Sequence, residues 1–225
     1  MLSFFPGDDK NAFSEDIENS IEWARNQSRP RFIKTHLGMD FLPSQIHTVK
    51  PKIIFSIRNT KDVAVSFYHH MCNLHRMNTS FQNYVDTFLD GTFPPGSYWE
   101  YLAHYSKIVE DPNVFILSFE EMKKDFRGVV KNTAKFLEKE ISEEQIDELV
   151  DFLSFENMKD NKAVNLAPVL ENISKIRNDH STSFLRRGKV GDWVNYINAE
   201  TSERFDELNE KYSKYELVRR ANSSL

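Results

Sequence analysis

The chain of 225 residues is 40% hydrophobic and 28% charged, a balance that excludes disorder, collagen and coiled coil and predicts one globular domain over 1–225. Its net charge of −5 argues against nucleic-acid binding, which needs a basic surface, so any anion site must be local. The single cysteine, Cys72, excludes a disulfide framework and suits the cytoplasm, and the short apolar run in "MLSFFPGDDK" predicts neither a signal peptide nor a membrane span.

In chain order, "SEDIENSIEWARNQS" predicts a helix, with Ser14 as N-cap, acidic residues in the first turn, and Ile17, Ile21 and Ala24 on one face. "PRFIKTH" then reads as a short strand whose last residues leave the sheet. "KPKIIFSIRNTKDVAVSFYHHM" is the clearest pattern: a buried apolar run from Ile53 to Ile57, a polar turn, and a helix starting near Asn59 or Thr60. "GTFPPGSYWEYLAHYSKIVED" predicts an aromatic-rich helix, followed by a second buried strand, "VFILSF". Helical spacing continues at Val129, Val130, Ala134, Phe136 and Leu137, and again at Ile146, Leu149, Val150 and Leu153. The stretch from Lys162 to Trp193 lacks periodicity and reads as a long functional loop, whereas "TSERFDELNEKYSKY" closes the chain as a charged helix ahead of a frayed tail at 219–225. Strands alternating with helices predict an α/β fold, a three-layer αβα sandwich around a mostly parallel sheet.

In such sheets ligands gather beyond the carboxyl ends of the strands. Lys34-Thr35-His36 and Arg58-Asn59-Thr60-Lys61-Asp62 both fall there. An arginine leaving a strand just before a helix can pair with phosphate through its fork of donors, and Ser66 can add a hydroxyl from that helix; the same arginine can equally brace a loop through an ion pair. His36 is either a base or a hydrogen-bonded structural residue. Arg186-Arg187-Gly188 is either a third anion-binding cluster, with the glycine admitting close backbone approach, or a solvated turn. In "HHMCNLH", His69, Cys72 and His75 drift off a common helical face, so no metal site is expected. Phe67, Tyr68, Trp99, Tyr101 and Tyr105 read as core or as the wall of an apolar pocket.

At "PRFIKTHL", "PKIIFSIRNTKDVAVSFYHH", "LSFEEMKKD", "LSFENMKDN" and "FLRRGKVGDW", in that order, the chain resembles the cytosolic sulfotransferase family, from about Arg29 to about Tyr212. The resemblance implies transfer of a sulfuryl group from 3'-phosphoadenosine 5'-phosphosulfate to a hydroxyl or amine of a small lipophilic acceptor, such as a phenol or sterol, without metal or covalent intermediate. It implies that His36 is the general base and that Lys34 and Thr35 line the acceptor side. Arg58 and Ser66 would hold the 3'-phosphate, with Arg186, Arg187 and Gly188 closing over it. Phe119, Leu153, Ser154, Phe155 and Met158 would surround the adenine.

The chain departs from the family pattern in several places. Phe119 replaces the usual tyrosine, Leu153 replaces threonine, and Arg187 takes the middle of Arg-Lys-Gly. Of the dimer motif only Glu203 matches, with Val194, Asn198 and Ala199 at its other positions, so a family-type homodimer is not expected. The family's first strand and its Pro-Lys-x-Gly-Thr-Thr-Trp phosphate loop have no counterpart here, and the chain reads as a member lacking them. The competing expectations are a 3'-phosphonucleotide-binding module without catalysis, an inactive family member, and a nucleotide kinase, for which no phosphate loop or set of magnesium ligands is visible.

Overall fold

The computed structural model describes residues 2–3, 20–177 and 183–223. Leu2–Ser3 (β1) precedes helix Ser20–Asn26 (α1), Lys34–Thr35 (β2), the short helix Ile46–Val49 (α2) and strand Ile53–Ile57 (β3). Three helices follow, Thr60–Leu74 (α3), Phe81–Leu89 (α4) and Tyr98–Tyr105 (α5), and lead into strand Val114–Ser118 (β4). Beyond it lie Phe119–Lys124 (α6), Phe126–Phe136 (α7), Glu143–Phe152 (α8), Phe155–Asp160 (α9), Ala167–Arg177 (α10), Ala199–Lys211 (α11) and Glu216–Asn222 (α12).

Both predicted buried runs are strands, and they pair in parallel from Ile53↔Val114 to Ile57↔Ser118. This register puts Phe55 and Ile116 on one face and Ile54 and Phe115 on the other. On the first face Tyr105 of α5 stacks on Phe55 with ring centroids 4.3 Å apart; on the second Phe136 of α7 stacks on Phe115 at 5.3 Å. Helices therefore cover both faces, and the fold is α/β. The main core lies on the Phe55 face, where Tyr84, Trp99, Leu102, Phe205 and Leu217 are fully buried.

Short polar side chains set the helix starts. Asn59 accepts hydrogen bonds from the Lys61 and Asp62 amides at the start of α3, and Ser118 and Ser154 cap α6 and α9 in the same way. Because only Arg58 separates β3 from the cap Asn59 and Ser118 ends β4, each strand feeds at once into a helix at its carboxyl end.

The structure corrects several expectations. Among the described residues the parallel sheet has two strands, and Lys34–Thr35 does not join it but pairs antiparallel with Leu2–Ser3. The expected loop from Lys162 to Trp193 contains α10: the Asn165 side-chain Oδ1 accepts the Ala167 amide at 2.9 Å, and Leu170 and Ser174 turn a buried face toward α3. The helix expected from the spacing of Ile146, Leu149, Val150 and Leu153 ends at Phe152, and α9 starts anew behind its cap Ser154. The tail expected to fray from Arg219 is helical to Asn222, because Leu217, Val218 and Ala221 are buried in the core. Ser14, named as a helix cap, lies outside the described residues, as does the first part of that predicted helix.

Candidate active site

The parallel register carries Arg58 and Phe119 out of the sheet at the same end, since each is the residue after the last pair, Ile57↔Ser118. There the Arg58 guanidinium lies over the Phe119 ring, 4.2 Å from its centroid. Its Nη2 donates to the Lys189 carbonyl at 2.9 Å and stands 3.4 Å from the Asp62 carboxylate. Its Nε is buried and has no hydrogen-bond partner. A buried donor without a partner carries a desolvation cost of about 1–3 kcal/mol, which an arriving oxyanion removes.

Around Arg58 the chain supplies flat walls. Lys123, one turn into α6, lies 5.7 Å from the Phe119 ring centroid and 5.6 Å from that of Phe155. Gly188 has φ +60°, and a Cβ there would sit 2.5 Å from Phe155 Cδ2, so only glycine lets the backbone close this far over the ring. Two phenyl faces, an arginine with an unused donor and a lysine can hold a flat heterocycle that carries phosphate. Of the other residues expected here, Ser154 accepts the Asn157 amide and shapes the start of α9, Leu153 is exposed at its edge, Met158 is half-buried within it, and Ser66 is exposed on α3.

Arg186 and Arg187, expected to close over a phosphate, face a carboxylate in the structure. Both bind the buried Asp192, Arg187 at 2.7 Å, and Arg186 also donates to the Tyr196 hydroxyl at 3.3 Å. Burial pushes the Asp192 carboxyl up, but Arg186, Asn195 and Arg187 outweigh it and hold the group below its ordinary value. The same loop is tied to α3 by the fully buried Asp62, which accepts the backbone amides of Gly191 at 2.8 Å and Trp193 at 3.0 Å.

His36 follows β2, and its segment is fixed from two directions. The Leu37 amide donates to Thr35 Oγ1 at 3.1 Å, and the Leu37 carbonyl accepts the Tyr105 hydroxyl at 2.7 Å. The imidazole remains exposed, yet surrounding protein and then the Lys34 charge lower its pKa below the usual 6.5. His70, on α3, is also lowered, first by burial and then by His75, His36 and Lys34. The charge of His36 thus acts on α3, the helix that begins beside Arg58. Burial, Arg186 and Arg187 lower His69 in turn, and its buried Nε2 has no hydrogen-bond partner.

Trp99, read as core or as the wall of an apolar pocket, is in the core, where its indole donates to Asn209 at 2.8 Å. Lys123, His70 and Asp192 were not among the residues singled out from the sequence, and Asp62 was named only as the last member of the cluster Arg58-Asn59-Thr60-Lys61-Asp62. The signal for Asp62 was present in its position in the first turn of a helix; the others carried none. A separate recess of about 180 Å³, lined by Met39, Ile53, Lys50, Asn113 and their neighbours, opens at the opposite ends of β3 and β4 and holds none of the site residues.

Residues 3–218 match the family described as the sulfotransferase domain. The chain belongs to the sulfotransferase family. It is similar to the luciferin sulfotransferase of Photinus pyralis, with 40% identity over 200 residues, covering 88% of this chain and 54% of that protein. It is 33% identical to sulfotransferase 1E1 of Homo sapiens, over 89% of this chain and 68% of the relative. Among solved structures it resembles mouse sulfotransferase SULT7A1 complexed with PAP, with a TM-score of 0.76, 28% identity and coverage of 90% and 72%. This sulfotransferase chain thus spans from about half to about two thirds of the length of these curated relatives. Among its described residues no helix is long and apolar enough to cross a membrane, and no cluster of three or more His, Cys, Asp or Glu is placed to hold a metal.

Proposed function

We propose that this chain carries the nucleotide cradle and the acceptor side of a sulfotransferase site, and that it transfers a sulfuryl group from 3'-phosphoadenosine 5'-phosphosulfate to the hydroxyl of a small aromatic acceptor. The observation that carries this reading is Arg58: it stacks on Phe119, faces the Gly188 backbone segment through Lys189, and keeps a buried Nε unused. A 3'-phosphate satisfies that donor, and the adenine takes the space walled by Phe119 and Phe155. The similarity to a sulfotransferase complexed with PAP supports the same donor.

On the acceptor side His36 takes the proton of the attacking hydroxyl as the oxygen bonds to sulfur. The bond from sulfur to the phosphate oxygen breaks, and adenosine 3',5'-bisphosphate leaves with that electron pair. Lys34 and Thr35 line the approach, and the Tyr105 and Thr35 bonds hold the base in position. Arg186 and Arg187 exchange Asp192 for the bound phosphate when the nucleotide enters.

Among the described residues no hydrogen bond, ion pair or ring contact joins Arg58 to His36, which supports a second reading, a nucleotide-binding module without transfer. Calorimetry with adenosine 3',5'-bisphosphate and a sulfuryl-transfer assay with a phenol separate the two. Transfer that is lost in His36→Ala while nucleotide binding persists supports the enzyme. Binding without transfer in the unaltered protein supports the module, and nucleotide affinity unchanged by Arg58→Ala overturns both.

A further inference from the structure

The strand ends that carry Arg58 and Phe119 are tied together one residue further on. Asn59 follows Arg58, Glu120 follows Phe119, and Glu120 Oε1 accepts the Asn59 amide at 2.9 Å. The other carboxylate oxygen, Oε2, accepts the Ser118 hydroxyl at 3.0 Å. Glu120 is only 5% exposed, and both of these donors are neutral, so the carboxylate is held in the fold by hydrogen bonds. Such a group is costly to bury, and here its two oxygens serve a single turn. Other groups hold the turn as well: the Tyr98 hydroxyl donates to the Arg58 carbonyl at 3.4 Å, and the Asn59 side-chain amide donates to Asn222 Oδ1 at 3.3 Å. Of these contacts only the one from Glu120 ties the turn to the end of β4, where Phe119 stands.

Resting on the nucleotide reading above, we infer that Glu120 is a positioning residue that gives the site its selectivity for a 3'-phosphate. Strand pairing ends at Ile57↔Ser118, so the ladder itself stops short of Arg58 and Phe119. The bond from Asn59 to Glu120 carries the alignment one step beyond it. With the turn fastened to the residue after Phe119, the guanidinium lies on the ring before any nucleotide arrives, its Nε still without a partner. A phosphate then meets an arginine whose rotamer freedom is already restricted, and less entropy is lost on binding. Without the Glu120 side chain the Asn59 amide loses its partner at a buried position, and the turn gains freedom relative to Phe119. That loss falls on the 3'-phosphate, which Arg58 meets, and spares a nucleotide that lacks one.

Calorimetry with adenosine 3',5'-bisphosphate and with adenosine 5'-monophosphate, run well below the thermal midpoint of each variant, gives that selectivity as a ratio of affinities. Glu120→Ala should lower affinity for the bisphosphate by about tenfold or more and for the monophosphate by about twofold at most, so the ratio falls. Glu120→Gln keeps an oxygen for the Asn59 amide and should hold the ratio within about twofold of the unaltered protein. In an Arg58→Ala background, Glu120→Ala should leave the ratio where it is, because the arm it positions is gone. Glu120→Asp keeps the charge but ends one methylene short of the amide; it should lower the ratio too, and it serves if the alanine variant does not fold. Unchanged affinities, or equal losses for both nucleotides, would leave Glu120 a purely structural role and overturn the inference. A glutamine variant as poor as the alanine one would overturn it as well, as would a ratio that Glu120→Ala still lowers when Arg58 is absent. Each of those outcomes leaves the nucleotide reading standing. An unaltered protein that binds neither nucleotide removes that reading, and the role of Glu120 with it.

Discussion

Asp62 accepts the backbone amide of Gly191 at 2.8 Å, joining residues 129 apart in sequence. The same carboxylate takes the Trp193 amide at 3.0 Å and faces the Arg58 guanidinium at 3.4 Å. One fully buried group therefore fixes the late loop and the arginine at the nucleotide cradle together. Asp62→Asn keeps the shape but turns an amide NH2 toward one of two donors and removes the charge facing Arg58. The expected loss is about 1–3 kcal/mol of stability, by the cost of an unsatisfied buried donor. Affinity for adenosine 3',5'-bisphosphate should fall as well, because Lys189 no longer holds its carbonyl against Arg58. Denaturant midpoints and calorimetry read the two effects, and unchanged affinity would show that the loop is held by other contacts.

Gly188→Ala tests the close approach of backbone to ring. Its φ of +60° is strained for any residue with a Cβ, at about 1–2 kcal/mol, and the added carbon would meet Phe155 Cδ2 at 2.5 Å. Phe155 must then turn away from Phe119 and Lys123, so nucleotide affinity should fall further than stability does. Combining the substitution with Phe155→Ala should show a coupling of about 0.5–3 kcal/mol in nucleotide binding. Additive losses would separate Gly188 from the ring.

The strand, turn and helix around Arg58 were legible because a continuous apolar run followed by Asn59 has one good local solution, a buried strand feeding a capped helix. The same holds for "VFILSF" and its cap Ser118. Helix α10 was not legible, since its cap, Asn165, stands two residues before the first helical position and the stretch looks like any polar loop. The tail was misread because the charges of Arg219 and Arg220 hide a buried face made by Leu217, Val218 and Ala221. Motif order brought Arg58, Phe119, Phe155 and Gly188 into one expected site. Their actual contacts depend on which donors are already satisfied, and that is a tertiary property. Arg186 and Arg187 show the point: their partner Asp192 is six and five residues away, yet nothing in "RRGKVGD" says that it outcompetes solvent.

The histidines predict how stability responds to acid. His36, His69 and His70 are all lowered in the folded chain, burial being the largest cause in each. His69 also faces Arg186 and Arg187, opposed by Asp192, and His70 faces His75, His36 and Lys34. The unfolded chain then binds more protons below the ordinary histidine value of 6.5. Their contribution is present above that value and is lost as pH falls below it. The thermal midpoint should drop as pH falls from about 6.5 toward 5, and the double variant His69→Gln, His70→Phe should flatten that slope. Asp192 acts in a separate window, because its lowered carboxyl keeps its stabilising charge until the pH falls below the ordinary value of 3.8. A slope unchanged in the double variant would assign the acid loss to other groups.

Tyr105 offers a way to move the base without touching it. Its hydroxyl holds the Leu37 carbonyl at 2.7 Å, next to His36, and its ring stays stacked on Phe55 whether or not the hydroxyl is present. Tyr105→Phe therefore removes the tether and leaves the core packing intact. The freed carbonyl lets the His36 segment shift, and a displacement of the base by about 1 Å can cost on the order of a hundredfold in rate. Sulfuryl transfer should fall by about tenfold or more at saturating donor, while affinity for adenosine 3',5'-bisphosphate, governed by Arg58 at the other end of α3, stays unchanged. A general loss of structure would lower both together. The decisive readout is thus the split between kcat and nucleotide affinity, and a parallel fall in the two would deny Tyr105 a positioning role.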